Sequence, residues 1–288
     1  EDLSRGLGDV YKRQIQVYGL KKIGLNVKLI KPKFQDLTHY FKVSVPLIVG
    51  QSIAVMDEQL FRIFGSMLSV GAIASFRYAR RIAILPVGVM AQAVGVATFP
   101  TMSNLFVSKK FDELKNLIRQ QVAILYFVNL AIVLVLITNN AQIISLVYER
   151  GEFNSSDVFR VSSIMSIAAF GILPWSLNQI VTRAFYVQTN YWYPVMMGTS
   201  STVLATLIIL NAENKSEISY AIIIIGSLFL YSLILLTTLK IDGERILNKD
   251  LISDLIFSSV VYFVTFGLLQ FLPIDTFGKI LYLSLIHI

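Results

Sequence analysis

The sequence predicts an all-α protein that crosses a membrane several times. Of its 288 residues, 55% are hydrophobic and 15% are charged, whereas soluble domains carry about 25% charged residues. Runs such as VAILYFVNLAIVLVLI and YAIIIIGSLFLYSLILL approach the roughly 20 apolar residues with which a helix crosses a bilayer. Continuous apolar runs also argue against membrane barrel strands, which alternate apolar and polar residues.

Polar connectors divide the apolar sequence into seven complete predicted spans. These spans cover about residues 43–62, 75–100, 120–138, 158–181, 194–211, 219–239 and 251–272. An eighth span begins near Phe277. Between spans two and three, SNLFVSKKFDELKNLIRQQ predicts an amphipathic helix on the membrane surface.

Local signals mark the fourth span in particular. In NSSD, Asn154 or a serine can cap the helix, and Asp157 suits the positive end of its dipole. Pro174 predicts a kink inside the span. Gly151, just before the span, predicts a turn with positive φ.

Lysine and arginine residues predict the orientation, because they are enriched in cytoplasmic connectors. One set of alternate connectors holds fourteen of them and the other set holds five. The first set is Lys21, Lys22, Lys28, Lys31, Lys33, Lys42, Lys109, Lys110, Lys115, Arg119, Arg183, Lys240, Arg245 and Lys249; the second is Arg62, Arg150, Arg160, Lys215 and Lys279. Spans one, three, five and seven are therefore predicted to run outward.

The organisation of the chain follows from these elements. Residues 15–42 form a basic cytoplasmic connector, and residues 43–282 form the membrane domain. Both ends, residues 1–14 and 283–288, resemble translated sequencing-adapter readthrough, so we expect them to be foreign to the fold.

Several classes of function are disfavoured. The chain has no Cys and only two His, His39 and His287, which lack metal-ligand spacing. No nucleophile–base set or phosphate-binding loop is present, so we expect neither an enzyme nor a cofactor. The formal net charge of +7 is explained by membrane topology rather than by binding to nucleic acid.

The segment FRYARRIAILP carries Arg77, Arg80 and Arg81 inside the second span. Their i, i+3, i+4 spacing predicts one shared helix face. An arginine at the centre of a lipid-facing helix costs about 2.5–3.5 kcal/mol, so such residues normally face a cavity or a partner. One interpretation is an anion site in a water-filled cavity; the other is that the arginines snorkel to the interface or pair with Asp57 and Glu58.

Other residues have a structural and a functional interpretation. Asp57 and Glu58 are either ion-coupling carboxylates or part of a solvated outer helix end. Gly88, Ala91, Gln92 and Gly95 predict a small-residue face for close helix packing. The aromatic residues of YVQTNYWYP predict a membrane-boundary belt, with glycan binding as the alternative.

Three stretches resemble the MurJ/MviN family of lipid II flippases, within the multidrug/oligosaccharidyl-lipid/polysaccharide exporter superfamily. They are GAIASFRYARRIAILPVGVMAQAVGVATFPTMS, VYERGEFNSSDV and TRAFYVQTNYWYPV. They match the family's Tyr-Ala-x-Arg-x-x-x-Leu-Pro segment, its Arg-Gly-x-Phe loop and its Arg-Ala-Phe-Tyr boundary. The resemblance implies the C-terminal lobe of a 14-helix transporter, with the N-terminal lobe missing from this chain. In this sequence Arg80 stands where many members carry an acidic or amide residue.

The resemblance also implies a function. Such proteins move the undecaprenyl-diphosphate-linked peptidoglycan precursor, lipid II, across the bacterial inner membrane by alternating access. Membrane potential or a coupling monovalent cation drives the movement. Arg81 falls on the family's cavity arginine, which contacts the substrate diphosphate. An exporter of another polyprenyl-linked oligosaccharide and a non-transporting membrane scaffold are the alternatives.

The predicted orientation can be tested with single cysteines in this Cys-free chain. Lys110→Cys and Asn214→Cys place one thiol on each predicted side of the membrane. We expect an impermeant thiol reagent to label position 214 in intact cells and position 110 only after lysis. Labelling of position 110 but not 214 in intact cells would refute the orientation.

Overall fold

The structure is a computed structural model. It describes residues 14, 17–22, 24, 34–213 and 216–271, without the side chains at 35, 36, 39, 51–62 and 268–271. The chain divides into two compact units, Glu1–Val45 and Pro46–Ile288. The second unit holds the packed helices.

Among the described residues from Phe34 onward, ten α-helices, one π turn and one β-hairpin are numbered here in chain order. They are α1 (Phe34–Gly65), α2 (Ala72–Pro86), the π turn (Val87–Ala91), α3 (Gln92–Val107), α4 (Phe111–Thr138), α5 (Asn140–Tyr148), α6 (Ser155–Phe170), α7 (Ile172–Val187), α8 (Trp192–Asn211), α9 (Glu217–Thr238), β1 (Lys240–Ile241), β2 (Glu244–Arg245) and α10 (Lys249–Phe271).

The predicted all-α polytopic membrane fold is confirmed. Six helical segments of the described residues are long and apolar enough to cross a membrane, and each overlaps one of predicted spans two to seven. The first predicted span lies within α1, where the side chains at 51–62 are outside the described residues. The eighth span, near Phe277, also lies outside them.

Helices α6 and α7 together form the central span. In its most apolar window 61% of the residues are buried, against 17% in α10. Helix α2 packs on α6, helices α3 and α4 pack on α7, and α9 packs on both halves. Helix α8 packs mainly on α9, and α10 packs on α4. The central span therefore contributes a much larger share of its residues to the core than α10 does.

The fourth span is interrupted at Gly171, three residues before the proline for which a kink was predicted. Proline has no backbone N–H, so Pro174 cannot donate to the carbonyl of Phe170, four residues earlier. Helix α6 accordingly ends at Phe170, and α7 begins at Ile172. The Ser232 hydroxyl of α9 donates to the Pro174 carbonyl at 3.2 Å. The neighbouring helix thus supplies polar contacts at the break.

Span two is also interrupted, by a π turn that no local sequence signal predicts. The turn follows Pro86, and the backbone N–H of Gln92 donates to the Val87 carbonyl, five residues earlier. Such wider turns occur as single-turn interruptions of α-helices, often at functional sites. The π turn therefore separates α2, the half of the span that carries the arginines, from α3.

The prediction of a surface helix between spans two and three is wrong. Helix α3 continues to Val107 and α4 begins at Phe111, so only residues 108–110 connect them. The physical reason is that the N-terminal part of α4 packs inside the protein: Leu114, Ile118 and Val122 are at most 1% exposed.

Lys115 lies on this same buried part of α4. It is 4% exposed and forms ion pairs with Asp112 and with Glu244 of β2. A buried lysine normally has such partners, because an isolated charge is costly to remove from water.

A β-hairpin joins α9 to α10. Lys240 pairs with Arg245, and Ile241 pairs with Glu244. Both turn residues, Asp242 and Gly243, have positive φ, as a two-residue type I′ turn requires. Arg119 of α4 donates to the carbonyls of Arg245 and Ile246 at 3.1 and 3.0 Å. The hairpin is therefore fixed to the start of α4.

The predicted cap of α6 is confirmed. The Asn154 side chain accepts hydrogen bonds from the backbone N–H groups of Ser156 and Asp157, at 2.9 and 3.3 Å. The Asp157 carboxylate accepts from the backbone N–H of Asn154 at 3.1 Å. This reciprocal capping box satisfies donors that the first helical turn leaves unpaired.

Replacing the cap residue should loosen the start of α6. Asn154→Ala removes the acceptor and costs about 1 kcal/mol, which corresponds to about fivefold more frequent opening of the first turn. Hydrogen exchange at the amides of residues 158–160 measures that opening. Ser163→Ala is the matched control, because its hydroxyl bonds only the Phe159 carbonyl on an exposed face. Unchanged exchange in Asn154→Ala would contradict the assignment.

Candidate functional site

Helix α2 has one buried face and one exposed face. Ala79 and Ala83 are 0% exposed, and Phe76 and Ile82 are each 8% exposed. Arg77 and Arg81, one turn apart, lie on the opposite, exposed face. The predicted shared face is therefore present for these two arginines.

Arg80 lies differently. It is half-buried, and its guanidinium carbon is 5.8 Å from the ring centroid of Trp175 on α7. A cation over an aromatic ring at this distance is stabilised by the quadrupole of the ring. The structure thus gives Arg80 a packing partner within the protein, and its contact with a substrate stays a prediction.

Arg77 and Arg81 form no ion pair within the part of the chain that the structure describes. The side chains of Asp57 and Glu58 lie outside the described residues. Their predicted pairing with the arginines, and their predicted role in ion coupling, therefore stay predictions.

Three aromatic rings form a cluster beside the arginine face. The ring centroids of Tyr78 and Tyr148 are 4.7 Å apart, and that of Phe153 is 5.6 Å from Tyr78 and 5.9 Å from Tyr148. Burial raises the pKa of Tyr148, and the nearby charge of Arg81 partly offsets that rise. We call Tyr78, Tyr148 and Phe153 the aromatic cluster.

The Arg-Gly-x-Phe loop contributes one ring to this cluster. Gly151 has φ +63°, the positive value predicted for it, and the backbone N–H of Phe153 donates to the Arg150 carbonyl at 3.2 Å. The loop therefore folds back so that Phe153 reaches Tyr78 of α2.

A network at the predicted outer end of the helices fixes the start of α2. Arg160 of α6 forms an ion pair with Glu217 of α9. Its guanidinium also donates to the Ser69 hydroxyl at 2.6 Å and to the Val70 carbonyl at 2.7 Å. We call these four residues the outer clamp.

Gly71 leads from the outer clamp into α2. Its φ is +89°, and a Cβ there would lie 2.8 Å from a terminal nitrogen of Arg160, so a larger residue would be both strained and in collision. In the sequence, Arg160 is distinguished only as one of the basic residues on the predicted outer side. The sequence shows a basic residue about one turn into one span and an acidic residue at the start of another. This pattern is too common to have identified Arg160 and Glu217 as an ion pair.

The predicted small-residue face is partly confirmed. Ala91 and Gly95 are buried, whereas Gly88 and Gln92 are exposed. A Cβ on Gly95 would lie 2.7 Å from a terminal nitrogen of Arg183. The glycine therefore admits an arginine of α7, which donates to the Gln179 carbonyl and side-chain oxygens at 2.5 and 2.8 Å.

The described residues contain no group of three or more His, Cys, Asp and Glu side chains that could hold a metal ion. The notable groups of this site are instead cationic and aromatic.

A broken central span, packed helices around it and an arginine-bearing span define a polytopic helical membrane protein. Three solved structures share the fold. The chain is similar to a structure titled "Lipid II flippase MurJ, inward closed conformation", with TM-score 0.69 and 21% identity over 90% of this chain and 54% of that one. An outward-facing multidrug resistance MATE family transporter gives TM-score 0.61 and 12% identity over 80% and 53%. A structure titled as a MOP superfamily transporter from Pyrococcus furiosus gives TM-score 0.61 and 11% identity over 78% of this chain and 51% of that one.

The family of this chain is a more specific assignment than its fold. The family model "Lipid II flippase MurJ" matches residues 7–285, so the chain belongs to the MurJ family. Relatives named "Probable lipid II flippase MurJ" occur in Rhizobium tropici, at 27% identity over 62% of this chain, and in Helicobacter pylori, at 26% over 63%. The chain spans 33% and 43% of the length of these two relatives. It is a multi-pass membrane protein.

Loss of Arg160 should destabilise the protein, because the Glu217 side chain is only 12% exposed and would lose its cation. Arg160→Ala should lower the free energy of unfolding by about 1.5–3 kcal/mol, measured by denaturant titration in detergent. Lys110→Ala is the control: the Lys110 and Glu113 side chains are 57% and 60% exposed, and such surface pairs contribute about 0–1 kcal/mol. Equal effects of the two substitutions would contradict the role of the outer clamp.

Proposed function

We propose that this chain is the C-terminal half of a lipid II flippase of the bacterial inner membrane. This proposal rests on one observation: Arg77 and Arg81 lie exposed, side by side, on a membrane span of a chain that belongs to the MurJ family. Exposure of two arginines to lipid would cost about 5–7 kcal/mol. A water-filled cavity facing the N-terminal lobe avoids this cost and leaves the charges available to an anion.

The proposed ligand of the two arginines is the diphosphate of a polyprenyl-linked glycan. A guanidinium group is planar and binds two phosphate oxygens at once, whereas an ammonium group acts as a point charge. Arg81 and Arg77 would therefore hold the diphosphate, and Arg80 would assist from its position on Trp175. No step of this transport makes or breaks a covalent bond, so the proposed activity is transport rather than catalysis.

Alternating access would move the bound precursor from the inner to the outer leaflet. It needs two lobes around a central site, and the N-terminal lobe is the proposed partner of this chain. Membrane potential or a monovalent cation would drive the cycle, with Asp57 and Glu58 as the proposed coupling carboxylates.

Substitution of Arg81 in the full-length protein tests the site. One lost hydrogen bond to a charged group costs about 1.5–3 kcal/mol, so Arg81→Ala should weaken the substrate interaction about 10- to 150-fold. Arg81→Lys should be impaired less, because it keeps the charge but loses the planar fork. Transport of lipid II in liposomes and growth of flippase-depleted cells are the measurements, with membrane expression checked for each variant.

Arg245→Ala is the matched control, because Arg245 is an exposed arginine of the β-hairpin, away from the proposed cavity. It should transport normally. A combined Arg77→Ala and Arg81→Ala variant with normal transport would overturn the site and favour snorkelling arginines. If the wild-type protein carries another polyprenyl-linked oligosaccharide in liposomes but not lipid II, it is instead an exporter of that glycan.

A further inference from the structure

The aromatic cluster adjoins the arginine face, yet the proposed diphosphate contact does not use it. Tyr78 lies three residues before Arg81 on α2, a spacing that places two Cβ atoms about 5–6 Å apart on a helix. Tyr78 remains 37% exposed, whereas Phe76 on the buried face of the same helix is 8% exposed. The exposed face of α2 therefore presents an aromatic ring beside its two arginines.

Two further rings fix the orientation of Tyr78. Phe153 meets it edge to face, with an interplanar angle of 90°, and Tyr148 packs on it at 53°. Both centroid distances lie in the range of about 4.5–7 Å at which aromatic pairs are attractive. The ring of Tyr78 is consequently held in one position before any ligand arrives.

The segment that carries these two supporting rings is itself anchored. The Glu149 carboxylate accepts hydrogen bonds from the hydroxyl groups of Ser145 and Ser155. These hydrogen bonds lower the pKa of Glu149, so the carboxylate stays ionised and keeps accepting them at neutral pH. A binding surface that is ordered beforehand avoids the entropy loss of ordering on binding.

We propose that Tyr78 is a stacking surface for the first sugar ring of a diphosphate-linked glycan, with Tyr148 and Phe153 as its positioning residues. This inference rests on the proposed function, because the diphosphate held by Arg77 and Arg81 is the anchor. In such a lipid the sugar is bonded directly to the diphosphate, so a contact beside the anchor meets the sugar. The C–H groups of one sugar face pack against the negative face of an aromatic ring.

Two probes separate sugar binding from diphosphate binding in the purified full-length protein. One is undecaprenyl diphosphate without sugar, and the other is the same lipid carrying an N-acetylated disaccharide. Tyr78→Leu should weaken binding of the sugar-bearing lipid by about 5- to 10-fold and change binding of the sugar-free lipid by less than about twofold. Tyr78→Phe keeps the ring and should bind both lipids as the wild type does.

Arg81→Ala identifies which proposal fails if a result is negative. It should weaken binding of both lipids, because both carry the diphosphate. If Arg81→Ala weakens both while Tyr78→Leu weakens neither, or both equally, the stacking surface is refuted and the proposed function stands. If Arg81→Ala weakens neither, the diphosphate site itself fails, and the stacking surface fails with it.

A second variant decides the matter if Tyr78→Leu does not accumulate in the membrane. Tyr78→Trp keeps an aromatic ring and places a fluorophore at the site, with Tyr78→Phe as the spectral background. The sugar-bearing lipid should shift the tryptophan emission, and the sugar-free lipid should not. Equal responses to the two lipids, or no response to either, would refute the stacking surface.

Discussion

The free-energy cost of placing a charge in a low-dielectric environment determines where the arginine side chains of this chain lie. Each arginine in the membrane-spanning segments must have a partner inside the protein or face water. Four of them have partners on other residues of the described chain. These partners are Glu217 for Arg160, the Trp175 ring for Arg80, the Gln179 oxygens for Arg183, and the Arg245 and Ile246 carbonyls for Arg119. Arg77 and Arg81 lie exposed without an ion pair in that part of the chain, and this difference separates the candidate site from the structural arginines.

Contacts on both sides of the arginines hold α2 in place. The outer clamp fixes the loop from which α2 begins, through Arg160 and the strained Gly71. The aromatic cluster then holds α2 seven residues further on, at Tyr78. The arginine face therefore lies on a helix that is anchored on both sides of Arg77. The proposed diphosphate site would benefit from such support, because a surface that is ordered beforehand avoids the entropy loss of ordering on binding.

Much of the fold could be predicted, because apolar runs, caps and turn glycines are local signals. The approximate positions of the spans, the Asn154 cap and the Gly151 turn followed from neighbouring residues alone. Elsewhere, tertiary packing mattered more than the local signal. The residues around Lys115 predicted a surface helix, whereas in the structure Lys115 pairs with Glu244, which lies far along the chain. The division of Arg80 from Arg77 and Arg81 likewise depends on Trp175, which no spacing rule could have placed beside α2.

The π turn has a geometric consequence for the whole second span. Ala83 and Gly95 are both buried, although they are twelve residues apart, and an uninterrupted α-helix would rotate them about 120° away from each other. The wider turn absorbs about one residue's rotation, about 100°, and leaves only about 20° between them. The buried faces of α2 and α3 consequently point in about the same direction. Losing the π turn at the present chain length would present either Gly95 or the alanines of α2 to the wrong side, whereas deleting one residue from the turn would keep both positions within about 20° of each other.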